Sequence, residues 1–341
     1  MTHSELQEKI FQISSDEEFE QVALATFRYQ YGHCAPYRRW VDLLHIHPDS
    51  VRHSNDIPAL PIEMFKRRHI VSFAEQPTGY FQSSGTTSME HSHHYYRTLA
   101  LYDRSLTQGF RSFWGDPAQY RIVALLPNYI QQQHSSLIHM MEVLIGQTRD
   151  TLSGLHEHIT QSLVDLMVST TRSDRRLMLF GVTYALLDLA SDYAPDLQGA
   201  IVFETGGMKG RRKEMVKAEL HSVLKAELHA TAIASEYGMC ELFSQAYSRA
   251  DGQFHTPSWM RVLVRDLNAP QCPVPLGRTG GINIIDLANL DSCAFIATQD
   301  LGRRLPTEQP LDTPFELLGR IDHSDLRGCN LMAEGQAFPQ R

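Results

Sequence analysis

The sequence is short of cysteine, of long apolar runs and of surplus positive charge, and each shortage argues against a class of protein. Its five cysteines, Cys34, Cys240, Cys272, Cys293 and Cys329, are odd in number and form no CxxC pair. A disulfide framework is therefore not expected, and reduced thiols in a cytoplasmic protein are. No stretch approaches the roughly 20 consecutive apolar residues that span a bilayer. The opening segment, MTHSELQEKIFQISSDEEFEQ, is polar and acidic, unlike a signal or transit peptide. With 31 Lys and Arg against 39 Asp and Glu, the net charge is -8, which argues against nucleic acid as the main partner. Internal repeats and low-complexity segments are also missing.

What is present is material for a large core. The 341 residues are 42% hydrophobic, which fits one large domain or two intimate ones. Residues 1–75 read as mainly helical, because Phe19, Val22, Ala23, Phe27 and Tyr31 recur at helical spacing. Short apolar runs at 122–126, 177–180, 201–203, 259–264, 281–285 and 294–298 then read as strands, with helical patterns at 135–144 and 213–224 between the earlier ones. Early strands separated by helices predict parallel pairing, and the closely spaced later ones antiparallel pairing. The fold class is α/β. The polar stretch 306–313 reads as a linker, and the 28 residues after Thr313 are too few for a second C-terminal domain.

Residues 80–87 read YFQSSGTT. The hydroxyls of Ser83, Ser84, Thr86 and Thr87, and the flexible backbone at Gly85, can wrap donors around a polyphosphate. A surface turn of small polar residues is the plainer alternative, since Walker spacing and a following lysine are both lacking. Further along stand ETGGMKG at 204–210, SEYGMCEL at 235–242, ATQDLGRR at 297–304 and LLGRIDHSDLRGCN at 317–330. Taken singly, Gly206 and Gly207 are a turn after a strand, Glu241 a carboxylate facing a helix dipole, Asp300 a turn residue and Arg320 half of a surface ion pair.

Together and in this order, the segments resemble the motifs of the adenylate-forming ligases, the superfamily of acyl- and aryl-CoA ligases, luciferases and peptide-synthetase adenylation domains. The resemblance implies the layered sheets and packed helices of that family's large N-terminal domain (76–318), without its small C-terminal domain. It implies ATP and Mg²⁺ as cofactors. Gly206 and Gly207 would line the adenine pocket, Tyr237 beside Gly238 would pack on the base, and Glu241 would hold Mg²⁺. Asp300 would take the ribose hydroxyls, and Arg320 would contact ribose or phosphate at a hinge marked by Asp322. Two departures stand out: Ser88-Met89-Glu90-His91 replaces the usual lysine-bearing continuation of the loop, and Cys240 stands where Thr is usual.

Within that superfamily the chain resembles the LuxE-type acyl-protein synthetases, through LPIEMFKRRHI, FQSSGTT, ALLPNYIQQQHSSLIHMM, TGGMKGRRKEM and the LRGCN ending. This implies activation of a long-chain fatty acid and its transfer to a protein cysteine. Cys329, on a hinge-like tail (319–341), is the candidate acceptor. An acyl-CoA-reductase-like protein or an acyl carrier is the implied onward partner. Independently of the family, Arg327 would favour the thiolate of Cys329. Lys209 in the basic run 209–213 is the candidate for neutralising charge as pyrophosphate leaves, and Leu137, Ile138, Met140 and Met141 are candidates for an alkyl tunnel or, more plainly, a core helix. Among the seventeen histidines, His91, His93 and His94 are poorly spaced for a closed zinc site; His91 and His93 are candidate phosphate contacts. Two rival readings stay open: a CoA ligase, and a scaffold that binds nucleotide without turnover.

Overall fold

The computed structural model describes residues 1–84, 90–206, 217–309 and 311–321. The N-terminal part is helical, as its periodicity predicts. Helix α1 (His3–Ile10) opens on a capping box in which Thr2 and Glu5 satisfy each other's backbone N–H groups. Helix α2 (Asp16–His33) starts at Ser15 with three acidic residues in its first turn and buries Phe19, Val22, Ala23 and Phe27 on one face. Helix α3 (Ala35–Leu43), strand β1 (Leu60–Pro61) and the single turn α4 (Met64–Arg67) follow. These are not an appendage. The buried Gln30 side chain on α2 donates to the Asn289 and Leu290 carbonyls and accepts from the Ala294 N–H.

Strands β2 (Gly79–Gln82) and β3 (His93–Tyr96), which flank the serine- and threonine-rich segment in sequence, pair as an antiparallel hairpin. The chain returns as β3, a strand the sequence does not single out, before helix α5 (Ala100–Trp114). Period-2 alternation over four residues is too short a signal to separate from a loop. Strand β4 (Tyr120–Leu125), helix α6 (Ser136–Thr148), β5 (Gly154–His156), α7 (Gln161–Thr170), β6 (Arg176–Gly181), α8 (Thr183–Tyr193), β7 (Ile201–Glu204), α9 (Lys217–Leu228) and β8 (Ala232–Tyr237) complete the alternating half. Then come β9 (Ala246–Ser248), β10 (Phe254–His255), β11 (Met260–Arg265), β12 (Gly280–Asp286), β13 (Phe295–Arg304) and β14 (Phe315–Arg320).

Among the described residues one twelve-stranded sheet runs β11-β12-β13-β14-β10-β9-β8-β7-β6-β4-β5, with β1 beside β13. Strands β5, β4, β6, β7 and β8 pair in parallel, whereas β8 through β14 and β11 pair antiparallel. The predicted change from parallel to antiparallel pairing thus falls at β8. The stretch 306–313 connects β13 to β14 within this sheet, with the Leu305 N–H donating to the Pro314 carbonyl. It is a connection between paired strands rather than a linker between domains. The core is aromatic near the seam: Phe180 and Phe203 stack at 4.3 Å, and Trp114 meets Phe203 edge-on at 4.8 Å.

Gln30→Leu leaves the buried Ala294 N–H without its partner, while the Asn289 and Leu290 carbonyls keep the Ser292 N–H and the Ser72 hydroxyl. One unpaired buried group costs about 1–3 kcal/mol, so urea denaturation is expected to show a loss of about 1–3 kcal/mol. A loss below about 1 kcal/mol would mean that α2 is not tied to the 289–294 segment through this side chain.

Candidate active site

Ligands of open α/β sheets bind beyond the carboxyl ends of the parallel strands, and here β7 and β8 end at a cavity of about 600 Å³. Strand β7 delivers Thr205 and Gly206 to its wall, and β8 delivers Glu236, Tyr237 and then Gly238. Gly206 has φ +69 and nothing within 4 Å of a Cβ built on it. The glycine is therefore required by left-handed backbone at the turn rather than by close approach. Its N–H donates to Glu204 Oε1 at 3.0 Å.

From the antiparallel half come Asp300 and Arg320, placed opposite each other by the β13–β14 register. The Tyr237 hydroxyl donates to Asp300 Oδ2 at 2.8 Å, and Arg320 Nε lies 3.8 Å from Asp300 Oδ1. Burial, followed by the Asp300 charge, pushes the Tyr237 phenol well up, so it stays a donor. Burial also pushes Asp300 up, while the Tyr237 hydrogen bond, Arg320 and Arg265 oppose this. Arg320 is itself 75% exposed at the cavity rim. Tyr237 packs edge-on against Phe254 and Phe315 at 5.9 and 5.5 Å.

Glu241 lines the same cavity and is nearly fully buried. Burial raises its pKa, against a Ser92 hydrogen bond and the positive charge of Lys66. Cys240 is buried with its sulfur 3.8 Å from the Ser92 carbonyl, and burial pushes its thiol well up. That makes it an inert filler at the position where the resemblance leads one to expect Thr.

On the loop side, Ser83 and Ser84 line the cavity. The Ser83 hydroxyl accepts from the Ser92 N–H at 2.9 Å, so it is spent partly on closing the loop. His91 bonds the Ser83 carbonyl at 2.8 Å, and His93 packs on Tyr80. Neither histidine lines the cavity, and burial followed by neighbouring His91 lowers the pKa of His93, which disfavours it as an anion contact. His94 is fully buried between the Cys240 carbonyl and the Ser292 hydroxyl, a structural role. Leu137 and Met140 line the cavity, whereas Met141 is core and Ile138 is half-buried on α6. Gly85, Thr86, Thr87, Gly207, Lys209, Asp322 and Cys329 lie outside the described residues.

Three groups in the cavity are not singled out by sequence reasoning. Lys66 on α4 is a half-buried cation close enough to Glu241 to lower its pKa; in the sequence it is hidden inside the basic run KRR. The Thr205 hydroxyl is buried and has no hydrogen-bond partner among the described residues. Glu236 is pushed up to about 8 by burial and then by neighbouring Glu204, with Lys217 opposing. The arrangement fits a nucleotide: Asp300 offers a carboxylate to vicinal hydroxyls, and the Thr205 hydroxyl awaits a polar partner. Among the described residues no group of three or more His, Cys, Asp or Glu could hold a metal ion. A cation at Glu241 would therefore take its remaining ligands from phosphate and water, as Mg²⁺ commonly does.

With this geometry in view, the comparisons agree. The family model described as "Acyl-protein synthetase, LuxE" matches residues 5–338, and the chain belongs to that family. No curated protein matches it. Among solved structures, the fold is similar to an open conformation of 2-hydroxyisobutyryl-CoA ligase in complex with 2-HIB-AMP and CoA. The TM-score is 0.68 at 15% identity, over 91% of this chain and 71% of that one. It is also similar to apo MatB from Rhodopseudomonas palustris (TM-score 0.50, 14% identity, 74% of this chain and 50% of that one) and to an ATP-bound RpMatB-BxBclM chimera (TM-score 0.50, 17% identity, 74% and 49%). The fold is that of the adenylate-forming ligase N-terminal domain. No described helix is long and apolar enough to cross a membrane.

Because Glu236 holds its proton in the folded chain up to about pH 8 but releases it near the ordinary 4.5 when unfolded, the folded state binds more protons between those values. The stability this contributes is complete below about pH 4.5 and is lost as pH rises through about 8. Thermal midpoints measured across that window should fall more steeply for the wild type than for Glu236→Gln. Parallel curves would place the Glu236 pKa near its ordinary value.

Proposed function

We propose that the chain activates a fatty acid, of long chain by family resemblance, as an acyl-adenylate at the expense of ATP, and passes the acyl group to the thiol of Cys329. The observation that carries the reading is one cavity lined both by Asp300, Tyr237 and Glu241 and by the apolar Leu137 and Met140. Family membership and a fold shared with a ligase that holds an acyl-adenylate support it.

In this reading Asp300 accepts from both ribose hydroxyls, and Tyr237 fixes the orientation of that carboxylate while presenting its ring to the adenine. Thr205 and the turn at Gly206 and Gly207 border the base. Ser83, Ser84 and the hydroxyls of Thr86 and Thr87 receive the β- and γ-phosphates. Glu241 would hold Mg²⁺, which would supply charge neutralisation at the phosphates. The substrate carboxylate attacks the α-phosphorus, the bond to the bridging oxygen breaks, and pyrophosphate leaves. Alignment and charge neutralisation carry such a step. Arg320 at the rim, Lys66 beside Glu241 and Lys209 supply the positive charge. The Cys329 thiolate then attacks the acyl carbonyl, AMP leaves, and the thioester keeps the acyl group activated for an acyl-CoA-reductase-like protein or a carrier. The segment that follows β14 brings the thiol to the adenylate, and the reaction takes place in the cytoplasm, where the thiol stays reduced.

Incubation with Mg-ATP and radiolabelled fatty acids is expected to place hydroxylamine-sensitive label on the chain, and Cys329→Ser should abolish it while pyrophosphate release continues. Release of pyrophosphate by both proteins only when coenzyme A is added would instead make the chain a CoA ligase. Failure of pyrophosphate exchange with every acid would leave a nucleotide-binding scaffold. Asp300→Ala should lower kcat/KM for ATP roughly 10- to 150-fold, the equivalent of about 1.5–3 kcal/mol for charge-assisted hydrogen bonds.

A further inference from the structure

The cavity contains a carboxyl that the reaction above does not use. Side chains alternate across a strand, so Glu236 points away from the nucleotide face occupied by Tyr237. Its register partner across the β8–β9 pair is Tyr247, so the two side chains share a face. Glu236 Oε1 folds over the turn: a Cβ built on Gly238 would stand 2.2 Å from it and 3.5 Å from Gln245 Cγ. Glycine at 238 therefore leaves the room in which this carboxyl sits.

No described residue hydrogen-bonds the Glu236 carboxyl, and the groups around it are committed elsewhere. The Tyr102 hydroxyl donates to the Ser136 carbonyl at 2.9 Å. Lys217 lies 3.6 Å from Glu204 Oε2, and Glu204 Oε1 accepts from Thr183 and the Gly206 N–H. The Tyr247 hydroxyl is buried and has no hydrogen-bond partner among the described residues. Beside this polar corner, Leu137, Met140 and Met239 give the same cavity an apolar wall. A plain alkyl chain fills the apolar wall but leaves a desolvated carboxyl without a partner, an arrangement that binding sites discriminate against strongly.

We propose that Glu236 is a specificity-determining residue whose carboxyl hydrogen-bonds a hydroxyl on the acyl chain, so that the preferred substrates are hydroxylated carboxylic acids rather than plain alkanoic acids. The inference rests on the adenylation reading above. A hydroxyl suits the site better than an amine. Burial and the Glu204 carboxylate keep Glu236 protonated up to about pH 8, and a neutral acid both donates to and accepts from a hydroxyl.

The test is pyrophosphate release from Mg-ATP with matched pairs of alkanoic and hydroxyalkanoic acids of short, medium and long chain. The hydroxyl is placed beside the carboxyl, one carbon further, or at the chain end. For at least one position the wild type should favour the hydroxylated acid by at least about tenfold in kcat/KM. Glu236→Leu should remove or reverse that preference, and Glu236→Gln should retain part of it. Equal or better turnover of the plain acid in every pair, or a preference that survives Glu236→Leu, overturns the proposal while leaving adenylation intact. If no acid releases pyrophosphate, the adenylation reading fails on its own. The proposal is then decided by thermal-shift binding of the same acids: protection selective for hydroxylated acids and lost in Glu236→Leu supports it, and unselective or absent protection overturns it. Glu236→Leu should also melt no lower than the wild type, since no hydrogen bond is lost. A lower midpoint would make the carboxyl a structural group and overturn the assignment.

Discussion

The site depends on one buried carboxylate that never touches the cavity. Asp286, at the end of β12, accepts from the Phe243 and Ser244 N–H groups, from the Ser244 hydroxyl and from the Ala288 N–H. Its neighbour Asn289 donates to the Glu241 carbonyl and accepts from the Phe243 N–H. His94 holds the Cys240 carbonyl from the hairpin side, and the Ser244 hydroxyl also meets Ser105 and the Trp259 indole. The loop that follows β8 is thus nailed from the antiparallel sheet, from the β2–β3 hairpin and from α5. Burial pushes Asp286 up to about 6 and its hydrogen bonds oppose this; a carboxylate with so many donors is well served by ionisation. Gln30 extends the same network to α2, which is why the N-terminal helices belong to the machinery rather than to its periphery.

Rigidity at this loop matters because β8 is the seam of the sheet. It pairs in parallel with β7 and antiparallel with β9, so its carboxyl end is where two strand systems part and a crevice opens. Alternation then divides the labour between adjacent residues. Tyr237 faces β13 and β14, where Asp300 and Arg320 stand opposite each other, and Glu236 faces the other side. A slip of one residue in the β8 register would exchange these two faces. The fixed loop and the paired strands together prevent that slip.

How much of this was legible in the sequence differs from group to group. Strands β6 and β11 are visible because each carries four apolar residues within six. The shorter β7 is visible as an unbroken apolar run, whereas β3 and β9 are hidden by their His, Tyr and Ser residues. Asp300, Tyr237 and Glu241 were found by motif order, and the structure brings all three to one cavity. Their support could not be read: Asp286, Asn289 and Gln30 lie far from the motifs, and a buried polar side chain looks in sequence like an exposed one. Lys66 was missed because it is one of three adjacent basic residues, and only the turn α4 decides which of them faces inward. His91 and His93 were misjudged as anion contacts for the opposite reason. Their closeness to the loop in sequence was real, but the hairpin turns both rings to its own backbone and aromatic neighbours.

Glu241 shows how the cavity is matched to charge. A buried carboxyl pays for ionisation in lost hydration, and burial accordingly raises its pKa here, with the Ser92 hydrogen bond and Lys66 offsetting part of the shift. In the proposed reading, a divalent cation arriving with a polyphosphate would tip this balance further toward the ionised form. Within the chain, Lys66 provides part of that compensation. The same short segment of backbone, held by Asp286 and Asn289, therefore sets the position of the carboxylate and its distance from the lysine. A shift of that loop would change the charge balance as well as the geometry.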